Sequence, residues 1–191
     1  MKGSVKAHIS LLLAASMWGL MSPVGKAAME AGITGLILAN MRMIGAAVCF
    51  WTTSFFVKQE KVNPHDLLML FFASLLGIVC NQGCFTFGLS LTSPVDASIM
   101  TTTMPIVTMI LAALFLKEPV TPKKVIGIFL GSIGALTLIL SNRGGDAEGG
   151  SVWGDALCMA AQISFACYLT IFKKLIARYH VITLMKWMFT Y

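Results

Sequence analysis

The chain has 191 residues, of which 57% are hydrophobic and 12% are charged, whereas a soluble domain carries roughly 25% charged residues. Several apolar stretches run for about 20 residues, long enough to cross roughly 30 Å of hydrocarbon, so the composition excludes a soluble globular domain. The formal net charge of +6 comes from lysines and arginines in short connectors. Their placement argues against a nucleic-acid-binding face and for a chain whose main partner is membrane lipid.

Six complete membrane spans follow one another along the chain. Their length and their lack of alternating polarity favour α-helices, so the sequence predicts an all-α, polytopic transmembrane helix bundle. The spans are predicted at Ala7–Met29, Thr34–Val57, Leu67–Leu91, Val95–Leu116, Lys124–Leu140 and Val152–Leu175.

Three of the helix starts share one local device. Asn63-Pro64, Ser93-Pro94 and Thr121-Pro122 each place a capping side chain before a proline. At the first helical position the missing N–H of proline costs nothing, and its fixed φ suits the helix. These three boundaries are therefore predicted as helix N-termini.

The polar, glycine-rich stretch at residues 142–151 is the only long flexible connector. It divides a five-helix unit, residues 1–141, from a second unit, residues 152–191. A seventh apolar segment begins near Val181 and reaches Tyr191 after about ten residues, too few to cross a bilayer. We expect a truncated product, with a segment lying in the membrane interface as the alternative.

The cations are unequally divided between the two sides of the predicted bundle. Ten lie on one side and two, Lys26 and Arg143, on the other. Because cytoplasmic loops carry the excess of Lys and Arg, the sequence predicts a multi-pass protein of the plasma (inner) membrane with a cytoplasmic N-terminus. The ten are Lys2, Lys6, Lys58, Lys61, Lys117, Lys123, Lys124, Lys173, Lys174 and Arg178.

Metal, nucleotide and catalytic chemistry find little support in the sequence. The five cysteines all fall inside apolar runs, without paired Cys-x-x-Cys clusters or histidines at ligand spacing, so they are interpreted as packing residues. No P-loop is present. No His/Asp, Ser/Lys or Glu/His set lies at matching depth, which disfavours an enzyme, and no metal or cofactor is expected.

A set of short motifs runs in order through the first five predicted helices. Trp18-Gly19 is followed by Pro23 and Lys26, and Arg42 stands in the second span. The later motifs are Gly88-Leu89-Ser90-Leu91-Thr92-Ser93, Ala97-Ser98-Ile99, Pro105, Leu116-Lys117-Glu118-Pro119, Gly127-Ile128 and Gly134.

This ordered set resembles the EamA-type branch of the drug/metabolite transporter superfamily, over nearly the whole chain. The resemblance implies a five-helix EamA repeat and the start of a second, inverted repeat, opened by Trp153-Gly154-Asp155. It also implies a secondary carrier, an exporter of small metabolites such as amino acids or drugs. Most of a second repeat is missing, and the second unit lacks a proline matching Pro23. An inactive truncated fragment or a non-transporting membrane subunit is therefore the alternative.

Transporter sites lie near the membrane midplane and use interrupted helices. Pro23 and Pro105 free the carbonyls of Gly19 and Thr101, and we predict a helix break at each. The alternative is a packing kink satisfied by neighbouring hydroxyls such as that of Ser22.

Polar side chains inside the spans are the candidate solute ligands. Arg42 is costly there unless it is paired or wet. It either binds an anionic or carboxylate group of the solute or ties helix ends together through backbone carbonyls or an acid such as Asp96. The amides Asn81, Gln82 and Gln162 either bond between helices or face the cavity. Further candidates for the cavity wall are Trp18, Ser22, Thr86, Ser98, Thr102 and Tyr168.

Other charged and small residues have interpretations outside the cavity. Asp96 and Asp155 open helices, where a carboxylate favours the positive end of the helix dipole. Glu118 is predicted to pair with Lys123 or Lys124. Small-residue faces are predicted to pack within the bundle or to support a homodimer. These faces are Gly127, Gly131 and Gly134 on the fifth span and Gly45, Ala46 and Ala47 on the second.

Overall fold

The computed structural model describes residues 2–141 and 151–191, and these residues form helices joined by short turns, with no strand among them. Within the described residues, five helical stretches are long and apolar enough to cross a membrane. The prediction of an all-α, polytopic helix bundle is therefore confirmed.

The described residues form ten α-helices, numbered in chain order. The first four are α1 Lys2–Glu30, α2 Gly35–Ser54, α3 Pro64–Ser74 and α4 Asn81–Leu91, and a π-helical turn, Leu75–Cys80, joins α3 to α4 without a break. The others are α5 Pro94–Thr101, α6 Met104–Leu116, α7 Pro122–Ser141, α8 Val152–Ile171, α9 Lys173–Ile176 and α10 Val181–Met188.

Each of the six predicted spans overlaps these helices, with three differences of shape. The fifth, on α7, is not one of the five described stretches that are long and apolar enough to cross a membrane. The third span contains the π-helical turn, and the fourth is divided into α5 and α6 at residues 102–103. The sixth ends at Ile171, four residues before the predicted boundary, and the chain continues in the short helix α9. The predicted linker lies, at residues 142–150, outside the described residues.

The three proline-marked helix starts are confirmed. Asn63 Oδ1 accepts a hydrogen bond from the His65 N–H, and Ser93 Oγ accepts one from the Asp96 N–H. At the start of α7, Thr121 Oγ1 accepts from the Lys124 N–H at 3.4 Å. In each case a side-chain oxygen satisfies one of the N–H groups that the first turn of a helix leaves without a partner.

Helix α8 packs against α4, α5, α6 and the π-helical turn. Small residues form part of its buried face, and Cys158, Ala161 and Ala166 are fully buried. A close approach follows at one crossing point: a Cβ at Gly88 would lie only 2.8 Å from Cys158 Sγ and 2.8 Å from the Gly154 carbonyl oxygen. Small residues thus let α4 and α8 pack backbone to backbone.

The glycines that the sequence singled out for packing do not make such contacts. A Cβ at Gly127, Gly131, Gly134 or Gly45 would meet no described atom within 4 Å. These four glycines therefore make no close helix crossing among the described residues, although Gly127 and Gly131 line a cavity with Thr102 and Pro105. Spacing alone marks a face on which close approach is possible, whereas the partner helix decides whether it occurs.

One end of the bundle carries most of the basic connectors and is called here the basic end. Arg178 Nη1 and Tyr179 Oη donate to the buried Asp66 carboxylate at 2.7 and 2.6 Å. The His180 N–H donates to Glu60 Oε2 at 2.9 Å. These bonds join the start of α3 to the segment between α9 and α10, far along the chain.

The opposite end is joined by a separate set of contacts. Thr92 Oγ1 donates to Asp155 Oδ1 at 2.6 Å, and the Ser151 N–H donates to the Leu91 carbonyl at 3.3 Å. Lys26 Nζ donates to the carbonyls of Leu89 and Thr92 at 3.2 and 3.0 Å. A cation at the C-terminus of α4 is favourable because the last carbonyls of a helix lack helical partners.

Glu118 links two parts of the basic end. Its carboxylate accepts a hydrogen bond from Lys173, at the start of α9, and lies 3.8 Å from Lys124 Nζ in α7. The pairing with Lys124 agrees with the sequence interpretation, and that with Lys173 adds a link to the second unit. The hydrogen bond from Lys173, and its charge, hold the pKa of the Glu118 carboxyl below its ordinary value of 4.5.

A pH dependence of stability follows from the lowered pKa of Glu118. A group with a depressed folded-state pKa contributes stability above its unfolded-state pKa, and this contribution is lost as the pH falls through the folded-state value. We expect Glu118→Gln to lower the unfolding temperature at neutral pH and to have a smaller effect at about pH 3. Thermal unfolding in detergent at both pH values measures this, with the exposed Glu30→Gln as control. An equal effect of Glu118→Gln at both pH values would contradict the assignment.

Candidate functional site

A groove between α1 and α2 brings three of the sequence-predicted residues together. Trp18 comes from α1, Arg42 from α2 and Gln82 from the first turn of α4. The groove has a volume of about 630 Å³. Its remaining lining is apolar or glycine: Ala14, Met17, Leu20, Met21, Val24, Gly25, Ala28 and Leu38.

Arg42 is the only charged residue among the described residues that line this groove. It is half-buried, and its Nη2 donates to Met21 Sδ at 2.7 Å. A thioether sulfur is a weak acceptor, and a guanidinium has five N–H donors, so most of the donor capacity of Arg42 is unused by this contact. This is the arrangement that a carboxylate or another anion of a solute would complete.

Gln82 supplies an acceptor beside this cation. Its Nε2 donates to Asn81 Oδ1 at 3.3 Å, whereas its Oε1 is buried and has no hydrogen-bond partner among the described residues. Leaving a buried acceptor unpaired costs about 1–3 kcal/mol. A donor group on a bound solute would remove that cost.

Arg42 and Gln82 also line a second, smaller cavity of about 290 Å³. Met43, Gly45, Ala46 and Phe189 complete its wall, so it lies between α2 and the C-terminal end of the chain. The two polar side chains therefore stand where two cavities adjoin. A solute passing from one cavity to the other would meet both of them.

Trp18 provides the aromatic wall of the groove. Its side chain is 51% exposed, and its ring meets Phe165 of α8 edge to face, with the centroids 6.1 Å apart. An indole in this position offers apolar area and one N–H donor at little conformational cost. It suits a solute that has both an apolar and a polar part.

Four other predicted ligands lie on α4 and α8. Asn81 Nδ2 donates to the Ala161 carbonyl at 2.9 Å, and Gln162 is buried on the same helix as Ala161. Tyr168 packs so closely that a Cβ at Gly77 would lie 2.7 Å from its ring. Thr86 is only 1% exposed, and its Oγ1 has no partner among the described residues. For Asn81 and Tyr168 these contacts are interhelical packing.

The helix interruption expected at Pro105 occurs, since α5 ends at Thr101 and α6 begins at Met104. The hydroxyls of Thr102 and Ser98 donate to the backbone carbonyls of Ile99 and Pro94 at 2.7 Å each. Hydroxyls in the same turn thus engage carbonyls near the break. Thr102 and Pro105 line a separate cavity of about 320 Å³ together with Gly127, Ile128, Gly131 and Ser132.

The helix break expected at Pro23 does not occur. Helix α1 continues through this proline from Lys2 to Glu30, with Ser22 buried beside it. A single proline removes one backbone hydrogen bond, and the bonds on either side of it can carry the helix through. Of the two prolines, only Pro105 therefore lies beside a helix interruption in the described structure.

Sequence reasoning missed a buried lysine close to the basic end. Lys186 of α10 is 6% exposed, and its Nζ donates to Ser54 Oγ and Gln59 Oε1 at 3.0 Å each. The same ammonium lies 5.0 Å from the centroid of the Trp51 ring. Neutral oxygens and an aromatic face thus solvate this cation. A lone lysine in an apolar segment was the available signal.

Comparison with known proteins gives several relatives. The EamA-like transporter family matches residues 5–140. An uncharacterized transporter of Archaeoglobus fulgidus is 26% identical over an alignment 191 residues long, and the match covers 94% of this chain and 62% of that protein. The uncharacterized transporter YetK of Bacillus subtilis is 27% identical over 179 residues, or 92% of this chain and 54% of its own length.

A plant relative matches a shorter part of the chain. The protein WALLS ARE THIN 1 of Arabidopsis thaliana is 31% identical over 119 residues, which cover 61% of this chain and 31% of the plant protein. The chain thus spans between 31% and 62% of the length of these three relatives. No solved structure matches the chain significantly.

Proposed function

Because the chain belongs to the EamA-like transporter family, we propose that it is part of a secondary carrier that exports small metabolites such as amino acids or drugs. The observation that carries this proposal is the groove that joins Trp18, Arg42 and Gln82. The chain is a membrane transporter protein by family. The identity of the solute, the direction of transport and the transport activity of this chain are parts of this proposal.

The chemistry of the groove favours a solute with a carboxylate, a hydrogen-bond donor and an apolar part. The Arg42 guanidinium binds the carboxylate, and Gln82 Oε1 accepts from an ammonium or hydroxyl group. The indole of Trp18 covers the apolar part. Export of such a solute uses binding and conformational change and makes or breaks no bond in it.

Transport requires that the site open alternately to the two sides of the membrane. Two irregular elements of the described helices are suited to this change: the α5–α6 break and the π-helical turn between α3 and α4. Such turns are frequent at functional sites because their backbone hydrogen bonding is already locally altered. The groove lies next to the second of them, through Gln82.

Saturable flux into proteoliposomes tests the proposal. Vesicles that hold the 191-residue chain are compared with protein-free vesicles for uptake of radiolabelled amino acids and drugs. We expect saturable uptake of at least one carboxylate-bearing solute and none of its methyl ester. The absence of flux for every solute, together with the absence of binding in calorimetry, would favour a non-transporting fragment or subunit.

We place the basic end, with the N-terminus, at the cytoplasmic face of the plasma (inner) membrane, since cytoplasmic loops carry most Lys and Arg. Cysteines introduced as Lys58→Cys and Lys123→Cys, in a background without the five native cysteines, are then expected to react with an impermeant maleimide only after the cells are opened. Glu30→Cys, at the opposite end, is expected to react in intact cells. Labelling of Lys58→Cys and Lys123→Cys from opposite faces would contradict the whole arrangement.

A further inference from the structure

A second groove opens at the basic end, between α6 and α7, and it is separate from the candidate solute site. Its volume is about 530 Å³, and its walls are apolar side chains of the two helices, among them Met109, Ala113 and Ile128. Gly127 widens it, because no described atom lies within 4 Å of a Cβ at this position. The groove therefore has room for a flexible apolar chain.

The mouth of this groove is positively charged. Lys123, Lys124 and Glu118 line it, and Glu118 is already engaged by Lys173 and by Lys124. Lys123 makes no ion pair with any described residue. Two lysines already engage the one carboxylate, and Lys123 adds a further ammonium group, which leaves an excess of positive charge at the mouth.

The helices on either side of the groove carry exposed apolar side chains. Ile126, Phe129, Leu130 and Ile133 of α7 are exposed, and so is Leu114 of α6. An apolar slot in such a surface, with lysines at its mouth, matches a molecule that has an acyl chain and an anionic headgroup. Basic pockets between transmembrane helices bind anionic lipid headgroups in this way.

We propose that the groove between α6 and α7 binds one anionic phospholipid, with its phosphate at Lys123 and Lys124 and an acyl chain along Gly127 and Ile128. The site is independent of solute transport, and it can exist in a chain that does not transport. Charge complementarity selects the occupant: a zwitterionic lipid offers the same chain without the net negative charge. A second copy of this chain would instead bring its own excess of lysines to the mouth.

Lipid retention by the purified chain tests this proposal. Native mass spectrometry from detergent micelles with equal amounts of phosphatidylglycerol and phosphatidylcholine of identical acyl chains measures both bound forms. We expect the double variant Lys123→Gln/Lys124→Gln to bind phosphatidylglycerol about 10- to 30-fold more weakly, since each lysine near the surface contributes about a factor of five to anionic-lipid binding. Phosphatidylcholine binding is expected to be unchanged.

Two further variants separate the groove from general charge and from folding. Lys58→Gln/Lys61→Gln removes the same charge from another connector and is expected to leave phosphatidylglycerol binding within about twofold of the parent. Gly127→Leu fills the groove, keeps both lysines and is expected to weaken phosphatidylglycerol binding. Because the new leucine side chain enters open space, we expect Gly127→Leu to fold. It therefore tests the proposal even if the lysine double variant does not fold.

Three results would overturn the proposal. Equal loss in both lysine double variants would show a general surface-charge effect. Full displacement of the lipid by inorganic phosphate would show a simple anion site. A change of Gly127→Leu from dimer to monomer in light scattering, with phosphatidylglycerol binding intact, would show that the groove takes a second copy of the chain.

Discussion

Arg42→Met is expected to lower the rate of solute uptake at subsaturating concentration by about 30-fold or more. The substitution removes the only charge among the described residues of the α1–α2 groove and keeps a long apolar side chain in place. A carboxylate that loses a buried, hydrogen-bonded cation typically loses at least about 2 kcal/mol of binding energy. Uptake at graded solute concentrations in proteoliposomes measures the effect.

The same measurement distinguishes binding from support of the fold. Arg42→Lys keeps the charge but loses the planar fork, so we expect a partial recovery of uptake. Lys58→Met removes one charge from an exposed connector and serves as the matched control. If Arg42→Met lowers the unfolding temperature and leaves uptake per folded protein unchanged, Arg42 is a structural residue that ties α2 to α1 through Met21.

Gly88→Val is expected to destabilise the bundle by about 3 kcal/mol or more. A Cβ at this position would lie 2.8 Å from the Gly154 carbonyl oxygen, which is backbone and cannot move aside without displacing α8. Insertion of extra volume into a well-packed core typically costs about 1–3 kcal/mol, and β-branching adds a rigid side chain. Chemical unfolding in mixed micelles, followed by circular dichroism, measures the change.

Gly131→Val is the matched control for the helix-packing prediction. It places the same side chain on a glycine of a membrane helix, but a Cβ there meets no described atom within 4 Å. We expect its free energy of unfolding to lie within about 0.5 kcal/mol of the parent. Similar destabilisation by both substitutions would show that valine in a membrane helix, rather than the α4–α8 crossing, is responsible.

Local chemistry made much of the fold predictable from the sequence. The caps at Asn63 and Ser93 depend on residues two or three positions away, so their pattern can be read without a tertiary structure. The length of each apolar run is likewise a local property, and the helices agree with it. The sequence also identified the three polar or aromatic residues of the groove, Trp18, Arg42 and Gln82, although it could not separate them from the other candidates.

The features that the sequence did not reveal depend on distant partners. The burial of Lys186 depends on Ser54 and Gln59, which are 132 and 127 residues away, and on the ring of Trp51. The close crossing at Gly88 requires the glycine at 154, whereas the more conspicuously spaced glycines of α7 make no such close approach to any described atom. A pattern of small residues therefore shows that a helix can pack closely against another. Whether it does so depends on the packing of the whole bundle.

The π-helical turn Leu75–Cys80 sets the angular phase between the two halves of one span. In an α-helix each residue rotates the next side chain by about 100°, and a π turn accommodates one extra residue. Upstream of it α3 packs against α10, and downstream of it α4 packs against α8. Deletion of a single residue from this turn would leave the span straight but would rotate α4 relative to α3. Asn81 and Gln82 would then point away from their present neighbours. The extra residue of the π-helical turn thus sets the rotation between α3 and α4, so that the two halves of one span pack against differently oriented helices.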